Sequence, residues 1–172
     1  MMIDDLEIKV LETLLKEARG LPQRFYHGSS VELKPGTILG GRKFVSKFGD
    51  VEKILEMFRP EGMNGRLDSV YLVSRPSKIS LAGGSTDYIY QVEPVDEPQA
   101  HDQFWLGEIY DLAMLNADEL TKRGPKLKSS TIKKILDEVR PLAENYWSGK
   151  RKSGDVQEFL CKEAKVIKAV RS

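Results

Sequence analysis

The sequence predicts an α+β domain, on three observations. Segments with apolar residues at helical spacing are interspersed with short segments that alternate as strands do. Proline and glycine mark most of the junctions between them. No internal repeat or low-complexity tract imposes a single architecture.

The first helix is expected over residues 4–19. Asp4 is placed to cap it with Glu7 three residues on, and Leu6, Val10, Leu11, Leu14 and Ala18 recur at helical spacing. Gly20 and Pro22 stop it. Phe25-Tyr26 opens a short strand, and Pro35-Gly36 with Gly40-Gly41 predicts a turn-rich loop over residues 29–41. Asp50 is placed to cap a second helix bearing Val51, Ile54, Leu55 and Phe58, closed by Pro60. A loop with Gly62 and Gly65 leads to a strand over residues 70–73, which Pro76 ends. The next strand runs from Tyr88 to Val92, with Tyr88, Tyr90 and Val92 on one face and Ile89 on the other, and Glu93-Pro94 closes it. Residues 94–103 are polar and read as irregular.

A third helix is expected from about Trp105 to Leu120, terminated by Gly124-Pro125. Ser130 caps a fourth, with Ile132, Ile135, Leu136 and Val139 on its apolar face. Pro141 lacks the amide proton that an interior position donates, so it is expected to end or kink that helix. Tyr146-Trp147-Ser148-Gly149 then begins a loop ahead of the closing strands.

A chain of 172 residues suffices for one domain with a core and is short for two of ordinary size. The expectation is therefore one domain over residues 1–172. Apolar residues make up 40% and charged residues 31%, as in a soluble globular protein. The net charge of +1 excludes attraction of the whole molecule to nucleic acid or membrane, so such a contact would need a local patch. Cys161 is the single cysteine, which excludes an intramolecular disulfide and a cysteine-based zinc site. His27 and His101 are the only imidazoles, and no metal site is expected. The first residues lack the basic and apolar regions of a signal peptide, and no apolar run approaches the roughly 18 residues that span a bilayer. A cytoplasmic location without a membrane partner is the expectation.

Three separated segments carry candidate chemistry: Arg24-Phe25-Tyr26-His27-Gly28-Ser29, Ser69-Val70-Tyr71-Leu72-Val73 and Glu158-Phe159-Leu160-Cys161. Each also has an ordinary structural reading as strand residues. A fourth segment pairs Tyr146-Trp147 with the cations Lys150, Arg151 and Lys152 and continues to Ser153-Gly154. It reads either as a platform that stacks on a base and holds phosphate or as a solvated loop anchored by a buried Trp. The basic run from Lys122 to Lys134 reads as a solvated linker. His101-Asp102 has the order of an oriented imidazole, but no Gly-x-Ser-x-Gly elbow accompanies it, and Cys161 reads as a small buried hydrophobe. Gly40-Gly41 and Gly83-Gly84 fall short of a phosphate loop, and no Walker or Rossmann fingerprint occurs.

Taken in order, His27, Tyr71 and Glu158 resemble the His-Tyr-Glu set of the ADP-ribosyltransferase fold. His27-Gly28-Ser29, an interval, then Pro35-Gly36 before Ile38-Leu39 is similar to the opening of the small bacterial rifamycin-modifying ADP-ribosyltransferases. It is also similar to the His-Gly-Ser strand of the poly-ADP-ribose polymerases. Glu158-Phe159-Leu160-Cys161, with Ala164 and Val166 downstream, resembles the Glu-led strand of the polymerase branch. The resemblance spans roughly residues 24–170. It departs from the family in two places. Leu81-Ala82-Gly83-Gly84 holds no second ring to sandwich nicotinamide, which leaves Tyr88 or Trp147 as substitutes. Val156 stands two residues before Glu158, so the Gln/Glu-x-Glu signature of the arginine-modifying toxins is absent.

The resemblance implies a split β-sandwich of small antiparallel sheets around a cleft, flanked by helices, with NAD as co-substrate. His27 would bond the adenosine-side ribose, and Gly28, followed by Ser29, would meet the carboxamide through its backbone. Tyr71 would stack on nicotinamide, and Glu158 would steady the oxocarbenium-like ribose. The implied activity is mono-ADP-ribosyl transfer with nicotinamide release, to an acceptor that is a protein, a nucleic acid or a small molecule. Trp147, Lys150, Arg151 and Lys152 are the candidates for acceptor contact. Two alternatives remain open on the same fold: an NAD-dependent RNA 2-phosphotransferase-like enzyme, and a catalytically inert binding or inhibitor protein.

Overall fold

The computed structural model describes residues 5–18, 22, 24–40, 49–123, 129–152 and 156–170. The expected roles of Asp4, Gly20, Gly41, Gly124-Pro125 and Ser153-Gly154 lie outside these residues, as does the side chain of Asp50. Among the described residues the fold is α+β, with four helices and seven strands, every strand pairing antiparallel.

The strands form two sheets. The first has the order β1 (Phe25–Ser29), β4 (Tyr88–Pro94), β7 (Glu163–Ala169), β2 (Ile38–Gly40). The second places β6 (Gln157–Cys161) between β3 (Val70–Leu72) and β5 (Gln99–Asp102). The consecutive strands β6 and β7 thus supply an inner strand to each sheet. The sheets share one core. Phe25, Tyr90, Val92, Ala164 and Val166 come from the first, and Val70, Leu72, Phe159 and Cys161 from the second. The Phe25 and Phe159 rings meet edge to face at 5.2 Å, and each buried aromatic or aliphatic side chain of this kind stabilises the fold by about 1.5–3 kcal/mol. Burial and the nearby Asp96 push the Cys161 thiol up to about 12, consistent with its reading as a core hydrophobe.

A second core joins three helices: α2 (Gly49–Glu56), α3 (Phe104–Arg123) and α4 (Ser129–Trp147). Leu55, Trp105, Leu106, Ile109, Val139, Ala143, Tyr146 and Trp147 fill it. The first helix, α1 (Asp5–Ala18), forms where helical spacing predicts it, yet Leu6, Val10, Leu11 and Leu14 on that face are exposed.

Three local expectations are corrected. Residues 99–102, read as irregular, form β5. Their sequence does not alternate apolar and polar, and their conformation is set by pairing with β6. Of the two outcomes expected at Pro141, an end to the helix is overturned: α4 continues through it to Trp147. Buried Val139 before the proline and Ala143, Tyr146 and Trp147 after it hold both halves against one core, which offsets the missing hydrogen bond. Tyr146-Trp147 consequently forms the last turn of a helix, where a loop was expected. In β4, Tyr90 and Val92 do share a buried face with Ile89 opposite, while Tyr88 is exposed.

Candidate functional site

The two sheets are stitched together where β1 passes β3. Tyr26 and Val73 exchange two backbone hydrogen bonds, of 2.8 and 3.0 Å. The next residue on β1, His27, bonds through Nδ1 to the backbone oxygen of Tyr71 at 2.9 Å. A carbonyl only accepts, so Nδ1 donates, and in the neutral ring Nε2 is left as an acceptor. Burial lowers the His27 pKa, partly offset by the Tyr71 bond, and so favours that neutral ring.

Tyr71 leads to Arg66. The tyrosine hydroxyl donates to the Arg66 backbone oxygen, and the guanidinium lies over the Tyr71 ring, 5.0 Å from its centroid. Arg66 sits in a 3₁₀ turn (Arg66–Asp68) just before β3 and is only 4% exposed. It pairs with two buried carboxylates. Its Nη1 bonds Glu158 Oε1, and its Nε and Nη2 reach Glu52 Oε1 on α2 at 3.2 and 3.1 Å. Burial opposes the Arg66 charge, but Tyr146, Tyr71 and Glu52 outweigh it and hold the guanidinium above its ordinary range.

Glu158 stands on β6, one residue beyond the stretch that pairs with β3, and opposite His101 of β5. Its side chain is 1% exposed, and both of its oxygens are hydrogen-bonded. Oε1 accepts from Arg66 and, at 2.5 Å, from the Tyr146 hydroxyl, while Oε2 accepts from Gln103 Nε2 at 2.9 Å. Burial pushes the Tyr146 hydroxyl up to about 12 and raises that of Tyr71 as well, so both phenols stay neutral donors at ordinary pH.

Gly28 has a tight neighbour. A Cβ there would lie 2.0 Å from the Ser85 backbone oxygen and 2.6 Å from Ile79 Cγ2. The close approach that glycine permits is therefore taken by the chain's own segment, residues 76–87. Gln103 ties the same segment to the buried carboxylate, because Nε2 also donates to the Ala82 oxygen at 3.3 Å. Ser29 faces another way: its hydroxyl and the Val31 backbone bond each other in a local turn.

The sequence-predicted residues thus fall into two groups. His27, Gly28, Tyr71 and Glu158 lie along one chain of contacts through Arg66, Gln103 and the 76–87 segment. Trp147 does not join an exposed acceptor face. Its ring is 2% exposed, and its Nε1 donates to the Leu55 oxygen at 2.9 Å. This corrects its reading as an acceptor platform, and the same burial removes it as a substitute nicotinamide ring. Trp147→Ala is expected to cost about 3–5 kcal/mol through the cavity it opens, measured as a lowered unfolding midpoint in denaturant. Lys150, Arg151 and Lys152 are exposed. The Lys150 ammonium lies 5.9 Å from the Trp105 ring centroid, and Arg151 approaches Asp102 at 3.8 Å.

Arg66, Glu52 and Gln103 were not read from the sequence as site residues, and Tyr146 was read only with Trp147, as a platform for the acceptor. One signal was available: Glu52 is a charged residue one turn before the buried Leu55, on the face that packs into the protein. His101-Asp102 is not an oriented imidazole pair. Asp102 caps α3 by accepting from the Phe104 amide at 3.0 Å, while His101 Nδ1 bonds the Tyr146 oxygen at 2.8 Å. The His101 ring stacks on Tyr146 at 4.5 Å, and its Nε2 is buried without a partner among the described residues.

Burial drops the His101 pKa to about 4 from the ordinary 6.5, against the raising effect of the Tyr146 bond. Between these values the unfolded chain binds the proton and the folded one does not. Stability is therefore expected to fall as pH drops from 6.5 towards 4, by about 3 kcal/mol from this group. Denaturant unfolding at stepped pH checks this, and His101→Gln should flatten the slope.

Among the described residues no group of three His, Cys, Asp or Glu side chains could hold a metal ion, and no helix is long and apolar enough to cross a membrane. No protein-family model matches the chain, and no curated protein sequence matches it.

Proposed function

We propose that the chain is an NAD-dependent mono-ADP-ribosyltransferase on a split β-sandwich of the ADP-ribosyltransferase type. One observation carries the reading: His27, Tyr71 and Glu158, far apart in sequence, form one chain of contacts where the two sheets join, His27 bonding the Tyr71 backbone while Tyr71 and Glu158 both contact Arg66. A single NAD molecule has to touch all three.

In this reading His27 accepts a ribose hydroxyl at Nε2 and Tyr71 stacks on nicotinamide. Arg66 lies over one face of that ring. The bond between the ribose C1′ and the nicotinamide nitrogen breaks, and the electron pair leaves with neutral nicotinamide. Positive charge builds on the sugar, and Glu158 stabilises it through the neighbouring hydroxyl. The acceptor nucleophile then bonds C1′ and gives up its proton. Residues 76–87 must move off Gly28 for the carboxamide to reach its backbone. Lys150, Arg151 and Lys152 remain the proposed acceptor contacts.

The burial of Glu158, with both oxygens hydrogen-bonded, favours one second reading, an inert module that binds NAD without cleaving it. Incubation with NAD separates the two. Release of free nicotinamide supports the transferase, and a label transferred from adenine-labelled NAD identifies the acceptor. Binding without release supports the inert module, and absence of both removes the NAD reading.

A further inference from the structure

Glu158 cannot meet a sugar in the arrangement described above, since its side chain is buried and Arg66, Tyr146 and Gln103 pack against its two oxygens. A ribose hydroxyl has to replace at least one of them. Releasing Arg66 into a water-poor interior with no other counter-charge would be strongly unfavourable. The cluster holds an alternative. Glu52 is completely buried, on α2, and faces the same guanidinium. Both Arg66 nitrogens that reach it crowd onto a single oxygen, Oε1. The other oxygen, Oε2, is buried and accepts nothing from the described residues.

We infer that Glu52 is a positioning residue that takes over Arg66 when Glu158 turns to substrate. The inference rests on the NAD reading of Glu158. A rotation of the Glu52 carboxylate changes one shared oxygen into the two-oxygen fork that guanidinium prefers, with Nε on one oxygen and Nη2 on the other. Nη1 then lets go of Glu158. Glu52 and Arg66 form a neutral pair, and the formal negative charge left in the cluster belongs to Glu158, facing the site where the sugar cation develops. Three groups make this exchange possible: two carboxylates and one arginine. With a single carboxylate, Arg66 could let go of Glu158 only by being stranded.

The test compares nicotinamide release and NAD affinity in the whole chain carrying Glu52→Gln or Glu52→Asp, with thermal unfolding measured on each. Glu52→Gln keeps shape and hydrogen bonding but not charge. Its kcat is expected to fall about 10–100-fold, the range for removing a charged group that orients a site's ligand, while the Kd for NAD changes less than about threefold. Glu52→Asp restores the charge and should recover most of kcat. Wild-type kcat in a folded Glu52→Gln protein overturns the inference, and so does a loss of kcat and affinity that merely tracks the folded fraction. A direct measurement covers variants that fail to fold. In the unsubstituted protein, the Arg66 Nε–H NMR resonance should shift when a non-hydrolysable NAD analogue binds, and a bound state with no shift overturns the exchange. If the unsubstituted protein neither releases nicotinamide nor binds the analogue, the NAD reading itself fails, and the inference with it.

Discussion

Glu158→Gln is expected to slow nicotinamide release by about 10²–10³-fold, the usual cost of losing one preorganised electrostatic contact in a transition state. NAD affinity should change little, because the amide keeps the shape and can still accept from Arg66 and Tyr146. The effect on stability should have the opposite sense, or none. Glu158 shares one buried arginine with Glu52, so neutralising one carboxylate leaves a matched ion pair and removes a buried charge that is costly to desolvate. A kinetic collapse with an unchanged or raised thermal midpoint would be the signature of a carboxylate kept for chemistry. Normal turnover in Glu158→Gln would remove Glu158 from the mechanism.

Arg66→Met should produce the reverse pattern. It fills similar volume but leaves Glu52 and Glu158 buried without their cation, and it removes a donor to the Tyr146 hydroxyl. Breaking a buried ion pair from one side costs about 3–5 kcal/mol. For a chain of this length that lowers the midpoint by about 6–20 °C. Adding Glu158→Gln to Arg66→Met should restore part of the loss, since one stranded charge is removed. Differential scanning calorimetry of the two single variants and the double decides the point. A midpoint for Arg66→Met within a degree or two of the unsubstituted protein would mean that the cluster does not couple these strands and helices.

Much of the fold's local content was legible. α1, α2 and α3, the strand carrying Tyr71 and the alternation of Tyr90 with Val92 all follow from spacing and from proline and glycine boundaries. What escaped is what tertiary pairing decides. Gln99-Ala100-His101-Asp102 carries no strand pattern, and β6 alone makes it a strand. Pro141 argued against a helix that packing on both sides of it sustains. Tyr146 and Trp147 look like loop aromatics in sequence because nothing local shows the core that receives them. The candidate site divides the same way. His27, Tyr71 and Glu158 sit in recognisable segments, whereas Arg66 and Glu52 sit in segments whose polar residues ordinarily face water. Only the assembled fold shows that a charge at position 66 is surrounded, and by what.

The inner positions of β6 and β7, one in each sheet, have a consequence for synthesis. A ribosome makes a chain from its N-terminal side onward, at roughly 5–20 residues per second. Before residues 157–169 emerge, β1 and β4 can pair, but β2 lacks its neighbour and β5 has none in its sheet. β3 is left with the Tyr26–Val73 bridge. Most of the described nascent strands are therefore unpaired edges until residues 157–169 emerge, a state prone to pairing with other chains. Glu158 arrives on β6, so until then the nascent polypeptide holds a guanidinium and one of its two carboxylates and waits for the other.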